Sequence, residues 1–416
     1  MKSRADKPSE PKRGGKLGRR EFLAGAGSAA MSFTIMKPGL VRGSQANSKI
    51  SLGVIGNGSR GTWIAGLFKD HGGYEITAGA DYFADRANAF GDKFNLSAAR
   101  RFTGLKGYQR LIEAKVDAVA VESPPYFHRE QGAAALEAGV HVYLAKPMAV
   151  DVPGCRNIEA DGKRAETKKL AYLIDFQTRT DPFYQEAIRR VQKEGAIGRI
   201  LGGEVSYVAS SPWPKMIPEL AVNPQDPERR LRAWGLIRAL SGDIITEQNI
   251  HSIDVMTWIL DQHPVKALGT GGLISRNIGD IWDHFAVNFW YPNDVLMVFF
   301  SKQYGAGADD IRCEMWGADG TIDAHYAGEV TIKGKTPYAG GRDGMMYTTG
   351  AVRNIAWFHE QLTSGKFDYS TVAPAVRSNL TTLLGRMAAY KGTEVTWDEL
   401  MRSEECLDPH LEGAKD

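Results

Sequence analysis

Lys49-Ile50-Ser51-Leu52-Gly53-Val54-Ile55-Gly56-Asn57-Gly58-Ser59-Arg60-Gly61 decides the fold. Residues 49–55 form a short apolar run rich in branched side chains, as a buried strand does. The glycines that follow make a GxGxxG. Residues 62–69 read as a helix with Trp63, Ile64, Leu67 and Phe68 as its apolar positions, and residues 74–80 read as a second strand closed by Asp81. Each part has a task. Gly56 permits the tight turn, Gly58 lets backbone approach a pyrophosphate, and Gly61 lets helix and strand pack closely, with the helix N-terminus facing the negative charge. Asp81 lies twenty residues after Gly61, the spacing of a carboxylate that bonds a ribose 2′-hydroxyl. A carboxylate there repels a 2′-phosphate, so NAD is expected rather than NADP. Arg60 is the one neighbour that could accommodate such a phosphate.

The alternation continues outward from this stretch. Residues 107–114, 129–138 and 152–167 read as helices, and residues 116–121, 140–144 and 170–174 as strands. Strands separated by helical patterns predict a doubly wound parallel sheet, an α/β Rossmann domain, with ligands at the carboxyl ends of its strands. Those ends carry Gly56–Gly61, Asp81, Ser123–His128 and Lys146.

Length and composition bound the rest. The chain has 416 residues, 43% hydrophobic and 24% charged, with three scattered cysteines. Two or three domains with ordinary cores are expected, needing no disulfide framework and no structural zinc. The net charge of +2 hides a split. Residues 1–46 carry ten Lys/Arg against three Asp/Glu, while the remainder carries 41 basic and 46 acidic residues. The mildly acidic body argues against a nucleic-acid partner. The basic start, with Arg19-Arg20-Glu21-Phe22-Leu23, leads into an apolar stretch from Phe22 to Met36 and a small-residue end at Ser44-Gln45-Ala46. That order describes a secretory signal, and the arginine pair a twin-arginine one, cleaved near Ala46. The apolar stretch is too short for a stable membrane anchor. A periplasmic location is therefore expected, with residues 47–175 as the nucleotide domain and 176–416 as a second domain.

In residues 176–416 the pattern changes. A helix is expected over 184–194, a strand over 198–209 and an irregular Trp- and Pro-rich loop over 210–229. Strands follow near 265–273, 283–291, 294–303, 310–316 and 320–323, and helices near 352–364 and 374–390. Runs of strands with few crossover helices predict an α+β domain with a mostly antiparallel sheet.

Residues 47–416 resemble the Gfo/Idh/MocA group, the glucose–fructose oxidoreductase and inositol dehydrogenase family. The resemblance rests on the GxGxxG, on Ser123-Pro124-Pro125-Tyr126-Phe127-His128, on Ala135-Leu136-Glu137-Ala138-Gly139-Val140-His141-Val142 before Ala145-Lys146-Pro147, and on Glu247-Gln248-Asn249-Ile250-His251-Ser252-Ile253-Asp254. An exported, twin-arginine-bearing subset of the family fits the front of the chain. Two positions depart from the family pattern: Ala145 stands for a glutamate and Glu247 for an aspartate.

The resemblance implies an NAD(P)-dependent oxidoreductase acting on a carbohydrate or polyol, associating as a homodimer or homotetramer. It implies that Gly56, Asn57, Gly58, Ser59, Arg60, Gly61, Asp81, Ser123, Pro124, His128 and Lys146 serve the cofactor. It also places Gln177, Thr178 and Arg179 along the cleft. Lys146 can bond a substrate hydroxyl, and burial would lower its pKa toward acid–base use. Glu247 and His251, four residues apart, would share one helix face, with His251 as the base and Glu247 orienting the imidazole or bonding substrate. Without HExxH and a third ligand, a zinc site is not expected. Trp213 and Trp234 offer flat faces suited to sugar rings, or are core filler.

Export implies a cofactor carried out bound and recycled in place. Paired oxidation and reduction of two sugars satisfies this. So does transient oxidation, elimination and re-reduction of a glycoside, a net hydrolysis. A third reading is a non-catalytic sugar-binding protein with bound NAD.

Overall fold

The computed structural model describes residues 49–307 and 309–416. The expected export signal, residues 1–46, lies outside them. The deciding stretch folds as strand, turn and helix. Strand β1 (Ile50–Ile55) is buried over its last four residues. Helix α1 (Ser59–His71) buries Ile64, Ala65 and Phe68 and stops at Gly72, whose φ of +83° glycine adopts without penalty. Strand β2 (Tyr74–Asp81) then pairs parallel to β1.

The alternation runs on through α2 (Ala84–Phe94), β3 (Arg101–Thr103), α3 (Gly107–Glu113), β4 (Ala118–Val121), α4 (His128–Glu137), β5 (His141–Ala145), α5 (Val152–Lys168) and β6 (Tyr172–Asp175). The parallel sheet has the order β3-β2-β1-β4-β5-β6, the doubly wound arrangement expected. The sequence reading omits α2 and β3. Strand β3 has only three residues and no apolar run, so periodicity has nothing to detect.

The second half begins with α6 (Pro182–Glu194), capped by Asp181, and β7 (Ile200–Ala209). The segment expected to be irregular holds two short helices, α7 (Met216–Ala221) and α8 (Pro227–Arg232). Helices α9 (Arg238–Ser241), α10 (Ile244–Glu247) and α11 (Ile250–Leu260) follow. The long strands β8 (Lys266–Gly272), β9 (His284–Tyr291), β10 (Val295–Gln303), β11 (Asp310–Gly317) and β12 (Gly320–His325) stand where expected, and β13 (Glu329–Gly334) and β14 (Tyr338–Arg342) extend the series. Helices α12 (Met346–Ser364) and α13 (Val372–Lys391), strand β15 (Val395–Thr396) and helix α14 (Trp397–Met401) complete the elements.

The nine-stranded sheet has the order β14-β13-β12-β11-β7-β10-β9-β8-β15. Every pairing is antiparallel except β7 with β10. Its buried face, with Val205, Phe285, Val287, Phe289, Met297 and Phe299, joins the main core together with residues of α11 and α13. Helix α12 returns to the first sheet: Ala351, Ile355 and Phe358 pack with Leu52, Val54, Ile64, Phe68 and Tyr143. The two sheets thereby share helices. Among the described residues no helix is long and apolar enough to cross a membrane. The cysteines are free, Cys155 and Cys313 buried and Cys406 exposed.

Candidate functional site

A groove of about 440 Å³ opens at the carboxyl ends of β1, β2 and β4, within the size range of ligand sites. Gly56, Gly58, Ser59, Arg60, Gly61, Asp81, Ser123 and Pro124 line it. The glycines behave as the motif requires. Gly56 has φ +91°. A Cβ on Gly61 would lie 1.8 Å from the Gly56 carbonyl oxygen, whereas a Cβ on Gly58 would meet nothing within 4 Å and project into open space. The cradle therefore fits a dinucleotide pyrophosphate approaching backbone N–H groups at the start of α1. Asp81 is held by backbone donors: Asn57 N–H donates to Oδ2 at 2.8 Å and Phe83 N–H to Oδ1 at 2.9 Å. Burial raises its pKa from the usual carboxylate value. It is placed to accept from a ribose hydroxyl. Asn57 serves through its backbone, because its side-chain amide turns inward to donate to the Val54 carbonyl. Ser123 donates to Gln131 Oε1 at 2.6 Å, which fixes its hydroxyl on the groove wall.

His128 and Arg60 have different roles from those expected. His128 does not line the groove. It is buried, with Nδ1 2.9 Å from the Pro147 carbonyl and Nε2 2.8 Å from the Ser123 carbonyl. Burial pushes its pKa down to about 4, so the neutral ring donates to one of these carbonyls and packs against the other, away from the groove. Arg60 is not free to take a 2′-phosphate. Its Nε lies 2.8 Å from Glu122, its Nη2 donates to Asp175 at 2.6 Å, and its Nη1 donates to the Tyr347 hydroxyl at 3.0 Å. The sheet register explains this cluster. Val121 pairs with Leu144 and Ala145 with Asp175, so Glu122, Ala145 and Asp175 end three neighbouring strands. Ala145 leaves the middle position short, and carboxylates on either side of it share one guanidinium. Asn354 of α12 donates to the other Asp175 oxygen at 2.8 Å. Burial raises the Glu122 pKa to about 7, against the opposing pull of Arg60.

Lys146, Glu247 and His251 converge at this end of the sheet. Lys146 is buried and donates to the Glu247 carbonyl at 2.7 Å and to Glu247 Oε1 at 3.1 Å. Burial lowers its pKa, and Glu247 opposes the shift. Glu247 and His251 do not share a helix: Glu247 ends α10 and His251 lies in the first turn of α11. Glu247 therefore does not orient the imidazole but engages Lys146 through one oxygen and Gln248 through the other. Gln248 in turn accepts from the Tyr207 hydroxyl at 3.0 Å. His251 is buried, its Nδ1 has no hydrogen-bond partner, and its ring sits 5.2 Å from that of Tyr326. Burial, then the charges of Lys146 and Arg60, hold its pKa well below 6.5. The imidazole is neutral and its ring nitrogens are uncommitted.

The residues expected to hold substrate have partners of their own. Arg179 is bound to Asp254 of α11 through Nε and Nη2, the closest contact 2.7 Å, and ties that helix to the segment after β6. Gln177 is buried, donates to Asp175 at 3.3 Å, and a Cβ on Gly350 would lie 2.6 Å from its own Cβ. Thr178 is equally buried. Trp213 and Trp234, ring centroids 5.6 Å apart, line the cofactor groove itself. Glu122 and Asp175 are absent from the sequence reading. Their signal is a charged residue at the carboxyl end of a buried parallel strand.

A model of the oxidoreductase family with the NAD-binding Rossmann fold matches residues 50–172, and one of the GFO/IDH/MocA C-terminal domain matches residues 185–323. The chain is 30% identical over 279 residues to inositol 2-dehydrogenase 3 of Saccharopolyspora erythraea, spanning 66% of this chain and 72% of that protein. It is 27% identical over 296 residues to inositol 2-dehydrogenase of Salmonella typhimurium, spanning 70% and 78%. The fold is that of myo-inositol 2-dehydrogenase from Lactobacillus plantarum, with TM-score 0.65, 19% identity and coverage of 84% and 99%. It is also that of levoglucosan dehydrogenase in complex with NADH and levoglucosan, with TM-score 0.65, 18% identity and the same coverage. The glycine cradle, the backbone-held Asp81 and these matches agree that the chain belongs to the Gfo/Idh/MocA family and is an NAD-dependent oxidoreductase.

Proposed function

We propose that the protein is a polyol or carbohydrate dehydrogenase, exported by the twin-arginine route, in which Lys146, Glu247 and His251 manage the substrate hydroxyl proton and NAD stays bound between turnovers. The observation that carries the acid–base assignment is the buried Lys146–Glu247 contact beside a neutral His251 whose Nδ1 has no partner. An ammonium has three N–H groups. Glu247 takes two of those on Lys146, which leaves one for a substrate oxygen. His251 accepts the hydroxyl proton, and Glu247 offsets the positive charge then held beside Lys146. Bound NAD supplies the hydride acceptor. Inositol dehydrogenases among the relatives and levoglucosan in a structural counterpart support a cyclic polyol or sugar as substrate. Asp81 and the engagement of Arg60 support NAD over NADP. Leu268, Val298, Phe300 and Trp316 are exposed on the second sheet and support a homodimer or homotetramer through that face.

The test is turnover of cyclic polyols and sugars, singly and in oxidant–reductant pairs, with Lys146→Ala and His251→Ala as controls. Each substitution is expected to lower kcat by roughly 10²–10⁴-fold, the span of general acid–base effects. Full turnover in His251→Ala would remove the histidine from the reaction.

A further inference from the structure

The groove has two walls from distant parts of the chain. Asp81, Tyr82, Phe83 and Leu105 form the nucleotide-domain side, and Trp213, Met216, Leu231 and Trp234 face them from the second half. Asp81 marks this as the end for the adenosine ribose. Three sets of contacts tie the walls together there. Arg232 of α8 donates to both oxygens of Asp85, at 3.0 and 3.2 Å, with its guanidinium 3.9 Å over the Phe83 ring. The Tyr82 hydroxyl donates to Glu228 of α8 at 3.2 Å. The last residues of the chain then cross the junction. Leu105 N–H donates to the Lys415 carbonyl at 2.9 Å, Lys415 N–H donates to the Tyr82 hydroxyl at 3.0 Å, and Lys415 Nζ lies 3.0 Å from Glu228. Lys106 reaches Asp416 at 2.8 Å, and the Asp416 backbone lies so close to Gly104 that a Cβ there would be 2.3 Å from it. Arg230 Nε donates to the Pro409 carbonyl at 2.9 Å, which joins this tail to α8 as well.

We propose that residues 213–234 and 409–416 form a strap across the adenosine end of the groove, and that this strap is what retains NAD. The inference rests on the retained-cofactor reading above and supplies its means. The glycine cradle and Asp81 alone make an open site from which a dinucleotide can leave along its length. With the strap fastened, the adenosine end is covered by Trp213 and Trp234, and departure requires the contacts of Arg232, Glu228 and Lys415 to open together. Retention by such a cover is a property of the dissociation rate.

The experiment follows NAD(H) on purified holoenzyme by mass spectrometry after gel filtration. With the cofactor reduced to NADH, its release is timed by the loss of the bound-nicotinamide fluorescence on dilution. The native chain is compared with a chain lacking residues 413–416 and with Arg232→Ala. Thermal midpoints of the stripped proteins are measured in parallel. The strap predicts near one NAD(H) per native chain, release at least tenfold faster in both variants, unchanged midpoints, and slower release again in Arg232→Lys. Equally slow release in both folded variants overturns the strap while the retained cofactor stands. Loss of NAD from the native chain during purification overturns both. Should the shortened chain not fold, Arg232→Ala carries the test, because Arg232 and Asp85 are partly exposed.

Discussion

The glycine cradle and the polar cluster at the ends of β4, β5 and β6 are built in different ways. At the pyrophosphate and ribose end the work is done by backbone: the Gly56 turn, the close approach at Gly61, and N–H groups that aim the Asp81 carboxylate. This cradle lies within residues 56–83, and the side chains that cover the adenosine end form a separate layer over it. In the cluster side chains do the work across long separations. Lys146 meets Glu247, Arg60 meets Asp175, and Asn354 meets Asp175. A backbone-built site keeps its geometry as long as the turn folds. A side-chain-built site depends on every partner being present, because a buried charge left alone is costly.

That contrast is tested most strongly at Arg60. Replacing it with Met leaves Glu122 and Asp175 buried beside one another without their shared cation. Breaking a buried pair by removing one partner costs about 3–5 kcal/mol. Arg60→Met is expected to lower the denaturation free energy by that amount in urea titrations. Glu122→Gln added to Arg60→Met should recover part of it in titrations above pH 7, where the Glu122 carboxyl otherwise ionises beside Asp175. Additive losses in the double variant would show that the two side chains do not act as a unit.

A smaller effect is expected at the backbone-built end. In Gly61→Ala the new methyl must displace the Gly56 carbonyl, which belongs to the turn itself. Overpacking of this kind costs about 1–3 kcal/mol. The denaturation midpoint should fall accordingly, and NAD affinity, read by quenching of tryptophan fluorescence on titration, should fall with it because the turn is the binding surface. Gly58→Ala faces open space, so it should weaken NAD binding while leaving stability nearly unchanged. Equal stability loss in the two variants would erase the distinction between packing and binding glycines.

The same contrast explains what could be read from the sequence. The parallel sheet and its glycine turn were legible because strand, turn, helix and Asp81 follow one another within a few dozen residues. The long strands of the second sheet were legible from their length and alternation. The break between Glu247 and His251 was not: a four-residue spacing suits a helix, and nothing local marks Gln248 and Asn249 as the junction of two. Arg179, Gln177 and His128 have internal partners that the sequence did not show, for one reason. Each has a chemistry that suits a ligand, and each is engaged inside the protein: Arg179 on Asp254, the Gln177 amide N–H on Asp175, and His128 between two backbone carbonyls. The Glu122–Arg60–Asp175 cluster could be found only once the strand register placed Ala145 between the two carboxylates.

The smallest effect is a pH dependence that belongs to the side-chain-built end alone. Glu122 has its pKa raised from 4.5 to about 7 by burial, so in the native protein it binds a proton that the unfolded chain has already released above pH 4.5. Stability falls with pH wherever the native state holds more protons. The contribution of this group is full below pH 4.5 and is lost as pH rises through about 7. Between pH 6 and 7.5 the loss is about 1 kcal/mol. Glu122→Gln cannot titrate, so its denaturation free energy should be flatter over that interval than that of the native chain. Asp81 also has a raised pKa, but backbone N–H groups hold its charged form, and Asp81→Asn should leave the slope between pH 6 and 7.5 unchanged. A slope that survives Glu122→Gln would place the titration elsewhere and show that Arg60 keeps both of its carboxylates ionised. The cluster would then be a charge pair plus one, held by a single guanidinium, and not a pair beside a neutral acid.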